Sequence, residues 1–199
     1  MNVSVETLDK LLGHLNLKMV YAGVKPLHAV VCGGAALIAL RLVPRDTEDV
    51  DIVALLGSSG RSMTVLETDS LPAEVEVLVA EVGREYGIRE DWFNFGAGPL
   101  IGFGLPPGMT TRLVRRSYGA CLTVYFISRY DQVHFKIYAA MHPKEGTRHL
   151  GDLLDLKPRE DEVKAATSWL LGRKVSADFK AALREVLERI GYERIAEQI

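Results

Sequence analysis

Asp49 and Asp51 stand two residues apart at the head of an apolar run. Gly33-Gly34 precede them, where a β-branched segment gives way to a helical one. Two carboxylates at that spacing can hold Mg²⁺, a hard cation that takes one or two carboxylates and completes its shell with substrate phosphates. Glycines lack Cβ, so a phosphate can approach the backbone where the first N–H groups of a helix point outward. Arg45 adds a guanidinium able to pair with phosphate oxygens. Arg45, Thr47, Asp49 and Asp51 are all odd-numbered, so an extended segment puts them on one face and turns Val50 and Ile52 to the core. A metal, a phosphate cradle and a cation are what phosphoryl or nucleotidyl transfer uses, since that chemistry rests on positioning and charge neutralisation.

The elements that must hold these residues follow from periodicity. Val5, Leu8, Leu11, Leu12 and Leu15 recur at helical spacing. His28 to Cys32 reads as a buried strand, and Ala35 to Val43 as a helix stopped by Pro44. Arg45 to Leu56 reads as a second strand that runs into a GSSG loop. Pro72 opens a helix of about fourteen residues. Asp91 to Met109, rich in Gly, Pro and aromatics, reads as a long loop in which Trp92, Phe93 and Phe95 pack as core or, alternatively, stack on a base. A hairpin or two adjacent strands follow, separated by Gly119. The rest is helical, with a single helical stretch covering Ser176 to Gln198. The expectation is an α/β (α+β) protein with a mixed sheet flanked by helices and a C-terminal helical region. Residues 1–128 form the core and 129–199 the helical region packed on it.

Bulk properties narrow the function. The chain has 199 residues, 48% hydrophobic and 25% charged, with a formal net charge of -2. That balance does not suit a protein whose main task is coating nucleic acid. Local basic groups remain: Arg112 with Arg115 and Arg116, and Arg173 with Lys174. The first of these is either a guide for RNA or a solvated strand face. Cys32 and Cys121 lie in apolar runs, as two buried thiols do. The N-terminus has no signal-peptide pattern, and the most apolar stretch is too short to cross a bilayer. The expectation is a cytoplasmic protein with no membrane partner.

The string GGAALIALRLVPRDTEDVDI resembles the signature of the DNA polymerase beta-like nucleotidyltransferase superfamily, in which Gly-Gly opens a helix and Asp-x-Asp lies on the next strand. Its Arg-x-Thr-x-Asp-x-Asp form resembles the AbiEii-type branch, the nucleotidyltransferase toxins of abortive-infection and toxin–antitoxin systems and their bacterial relatives. The resemblance covers most of residues 28–157 and includes DWFN at Asp91 to Asn94. It implies metal binding by Asp49 and Asp51, and a nucleotide site with Gly33, Gly34, Arg45 and Thr47. It further implies triphosphate binding by Lys136 in FKIYAAM, nucleotide binding by Arg148 and a catalytic role for Asp152, orienting a group or acting as base, in TRHLGDLLDL. The cofactor would be Mg²⁺ or Mn²⁺. The substrate would be a nucleoside triphosphate, the acceptor an RNA, a protein side chain or a small molecule, and the partner a cognate antitoxin or toxin.

Other readings stay open. The strand LTVYFIS carries no carboxylate where many relatives have a third one, which leaves Asp131 and Asp152 as substitutes. With neither in reach, the chain would bind nucleotide without turning it over, as a sensor or an interaction partner. Lys136 lies on an amphipathic helix, where a lysine commonly faces water. Arg148 and Asp152 are spaced like an exposed helical ion pair, and Asp155 like a surface charge. A Rossmann-type dinucleotide site ranks last, because the G-x-G-x-x-G spacing is absent.

Overall fold

The structure is a computed structural model that describes all residues except 1–2, 60–61, 67, 98–101, 143–145 and 174–175. The chain is an α+β protein of two compact units, Met1–Leu105 with Thr110–Ser128, and Pro106–Met109 with Arg129–Ile199. No helix among the described residues is long and apolar enough to cross a membrane.

The first unit is built on a mixed sheet. Its strands are β1 (Leu27–Val31), β2 (Val50–Ser59), β3 (Ser62–Val65), β4 (Phe93–Asn94), β5 (Val114–Ser117) and β6 (Leu122–Phe126). They run in the order β3-β2-β1-β6-β5, with β4 pairing β2. β1 is parallel to β6 and antiparallel to β2. Helix α1 (Val5–Tyr21) begins at Ser4, whose side chain accepts from the Thr7 N–H, and it buries Leu8, Leu11, Leu12, Leu15 and Met19 as one stripe. Helix α3 (Ala73–Tyr86) ends at Gly87 in the left-handed region and packs on α1. Lys18 bridges the two helices through Glu81 and Glu85.

Several details depart from the sequence expectation. Helix α2 spans Gly33–Ala39 and does not run to Pro44. Arg41 adopts φ 54, its N–H reaches Ile38 O, and the Leu42 N–H reaches Leu37 O. That pair of bonds is a Schellman closure, which ends a helix wherever a residue accepts the left-handed conformation, here an arginine in place of the usual glycine. Residues 45–49 lie outside β2, so strand alternation does not place Arg45, Thr47 and Asp49. Within the expected GSSG loop, Gly57 to Ser59 continue β2 toward β3, while Gly60 lies outside the described residues.

Two of the expected core and surface assignments also shift. Cys32 is buried, but Cys121 is only half-buried, with its thiol directed at Val24 O. Arg116 is not a solvated strand residue. It donates to Asp9 and to Ala39 O and lies over the Phe126 ring. Arg115 is exposed.

The second unit is helical: α4 (Arg129–Ala140), α5 (Gly146–Leu156), α6 (Glu160–Leu171), α7 (Ala177–Arg189) and α8 (Glu193–Ala196). α4 packs on α5, α6 and α7, burying Val133, Ile137, Leu153, Val163, Leu170 and Leu183. The Ser176–Gln198 stretch is not one helix. Gly191 at φ 84 breaks it, and the Tyr192 hydroxyl donates to Pro158 O. Buried Glu162 accepts from the Arg159 N–H and pairs with Arg129. Arg173 lies over the Trp169 ring, and Lys174 is outside the described residues.

Candidate functional site

The geometry around Asp51 begins with a register change. β1 and β2 pair Val30 with Ala54 and then Val31 with Ile52, skipping Val53. Such a bulge re-aims the side chains beyond it. The Cys32 N–H then donates to Asp51 O at 3.0 Å, which fixes the start of α2 beside the first residues of β2. Gly33 sits there with φ 65, and a Cβ on it would lie 2.7 Å from Asp51 Oδ2. On the other side, a Cβ on Gly96 would lie 2.6 Å from Asp51 Oδ1. The carboxylate is thus held between two bare stretches of backbone that come from distant parts of the chain. Gly33→Ala should lower stability by about 1–2 kcal/mol through the left-handed conformation alone. It should also displace the carboxylate; urea unfolding measures the first effect, and an unchanged midpoint would refute it.

Thr47 and Arg45 reach the same place by a different route from the one alternation suggests. Thr47 is buried and forms an isolated bridge with Val3, each N–H donating to the other's carbonyl. Its hydroxyl donates to Asp49 O at 3.2 Å. Arg45 donates to Asp46 O at 2.8 Å and holds Nη2 3.1 Å from where a Cβ on Gly34 would stand. A side chain at Gly34 would also collide with the Thr47 hydroxyl. Gly33, Gly34, Arg45, Thr47 and Asp51 are therefore one cluster.

Three residues of this cluster are not legible as site residues in the sequence. Asn94 on β4 is in parallel register with Asp51. Its side-chain oxygen accepts from the Gly96 N–H at 2.5 Å, and its amide donates to Asp91 O at 2.8 Å. Arg89 forks onto Asp91 at 2.8 and 2.6 Å and reaches Asp49 Oδ2 at 3.4 Å. Asp49 is therefore set against a protein cation. Trp92 and Phe93 are fully buried, and the Trp92 indole donates to Val79 O, so these two rings belong to the core.

The Arg89 hydrogen bonds hold the Asp91 carboxyl below the usual carboxylate range. A depressed folded pKa means stability that is present above the unfolded value of about 3.9 and is lost as pH falls through the folded value. A ¹³C titration should place the Asp91 midpoint below about 3.9. Arg89→Gln should return it toward that value, and an unchanged midpoint in the variant would refute the assignment.

In the second unit Lys136 is not a water-facing lysine. Its ammonium lies 2.6 Å from Asp152 Oδ2, with the two side chains 4% and 2% exposed. The His149 ring nitrogen is 3.2 Å away. Arg148 is exposed, so Asp152 is not half of an exposed helical pair with it. Asp131 is fully buried on α4, and Asp155 is exposed.

No family model, curated protein or solved structure matches this chain. Among the described residues no group of three or more His, Cys, Asp or Glu could hold a metal ion. The Asp51 carboxylate and the Asn94 amide oxygen both lie beside Gly96, while the Asp49 carboxylate faces Arg89. All three are hard oxygen donors of the type that suits Mg²⁺.

Proposed function

We propose that the chain is a Mg²⁺-dependent nucleotidyltransferase that moves a nucleoside monophosphate from a nucleoside triphosphate to an acceptor hydroxyl. The observation that carries this reading is the Asp51 carboxylate held between Gly33 and Gly96, with Arg45 and Thr47 over Gly34. The glycines let the Asp51 carboxylate lie directly against backbone from two parts of the chain, and the Arg45 guanidinium beside Gly34 is a group able to pair with phosphate oxygens. Asp49 and Asp51 would hold Mg²⁺, or Mn²⁺, which when bound neutralises phosphate charge and polarises the reacting phosphoryl group. The acceptor oxygen bonds to the α-phosphorus as the bond from that phosphorus to the bridging oxygen breaks. Pyrophosphate leaves with the electron pair, and the hydroxyl proton passes to water. Incorporation of label from each of four α-labelled triphosphates, with total RNA and the protein itself as acceptors, tests the reading. Absence of transfer from folded protein under Mg²⁺ and Mn²⁺ would overturn it.

A second reading is favoured by one specific observation. The residue in register with Asp51 is Asn94, an amide that adds no charge for a metal, and β6, the strand LTVYF, carries no carboxylate. A nucleotide sensor, or one half of a toxin–antitoxin pair, needs binding without turnover. Saturable Mg²⁺–triphosphate binding with no pyrophosphate release would select it.

A further inference from the structure

The first unit has a cavity of about 430 Å³ between one face of α3 and the segment that carries β4. That volume falls within the range of small-molecule sites, about 300–1,000 Å³, and far exceeds what one ion needs. Its floor is apolar and buried, made by Leu71, Val79 and Phe93. Phe95, half-buried, forms part of the wall. The mouth carries four carboxylates, from Asp69, Glu76, Glu90 and Asp91. Glu90 is answered by Arg84 and Asp91 by Arg89. Asp69 and Glu76 pair with no cation among the described residues. Glu76 in the first turn of α3 also suits that helix end, but this does not account for Asp69, which lies before α3, nor for the apolar floor.

We propose that this cavity is a binding site for an organic cation with an apolar body, such as an aryl or alkyl amine. The apolar floor takes the body, and Asp69 and Glu76 supply its counter-charge. Asn94 lines the cavity and is also the residue in register with Asp51, so the site shares a wall with the carboxylate cluster. The same charge repels a polyanion along that wall. On the transfer reading, on which this consequence alone rests, this side of the cluster disfavours approach by a polyanionic acceptor.

The probes are tryptamine and indole-3-propionate, two indoles that differ in the sign of the charge on the tail. Each is titrated into the 199-residue chain without nucleotide and followed by calorimetry and amide NMR shifts. Tryptamine should saturate and move amides in residues 69–80 and 90–95, while indole-3-propionate should not. An Asp69→Asn, Glu76→Gln variant should weaken tryptamine roughly tenfold, since it removes both unanswered carboxylates. Equal binding of both probes, unchanged affinity in the variant, or no saturation overturns the site. Label transfer measured on the same preparation keeps the two ideas apart. Transfer without tryptamine binding overturns the cation site alone, and tryptamine binding without transfer overturns the transfer reading alone.

Discussion

An Asp49→Asn, Asp51→Asn variant should lose label transfer by about a thousandfold or more while keeping an unfolding midpoint close to that of the parent. The magnitude follows from what the carboxylates would hold. A Lewis acid on a reacting phosphoryl group is worth several kcal/mol of transition-state stabilisation, and each 1.36 kcal/mol is about tenfold in rate. The small effect on folding follows from shape and exposure. Asparagine keeps the outline of aspartate between Gly33 and Gly96, and the Asp49–Arg89 contact at 3.4 Å is a partly exposed ion pair, worth about 0–1 kcal/mol. The single variants should separate the two residues. Asp51→Asn should be the more damaging, because Asp51 lies between the two glycines whereas Asp49 already faces Arg89. Transfer that persists in a folded double variant would remove both residues from the chemistry.

The cluster around Asp51 was partly legible in the sequence, and the reasons differ by residue. Gly33-Gly34 and Asp51 show themselves locally, since a glycine pair between an apolar run and a helical pattern, followed by paired carboxylates, is a short-range signal. Arg45 and Thr47 reach the cluster, but the alternation argument for them does not hold. Thr47 is fixed by its bridge to Val3, a contact across most of the first unit's early chain. Gly96 and Arg89 carry no local signal, and Asn94 shows only as the last residue of the DWFN segment, with no role attached. β4 pairs over only two residues, Phe93 and Asn94, and a strand that short leaves no period in a Gly- and Pro-rich segment.

The same division runs through the fold. The stripe of α1 and the hairpin around Gly119 are written in nearest-neighbour patterns, and both form. The end of α2 is not, because its Schellman closure uses Arg41, a residue type with no bias toward positive φ. Lys136 fails as a surface residue for the same reason that Asn94 fails as a loop residue. Its partner Asp152 sits on another helix, and single-helix periodicity cannot see it.

That buried pair sets the second large expected effect. Lys136→Met should destabilise the protein by about 3–5 kcal/mol, because it leaves the Asp152 carboxylate in a buried site without the ammonium now 2.6 Å from it. Lys136→Met with Asp152→Leu should recover most of the loss, since an apolar pair of similar volume is often neutral or stabilising in place of a buried ion pair. The cycle of two singles and the double then gives the coupling between the residues, which for side chains in contact reaches about 0.5–3 kcal/mol. If the double variant remains as unstable as the single, the pair is not what holds these helices at that point. A folded double variant also decides the chemical role that the resemblance assigns to Lys136. Label transfer at the parent rate would make the lysine a structural staple between α4 and α5. Loss of transfer with the fold intact would give the pair a chemical role beyond stability, without dividing it between the ammonium and the carboxylate.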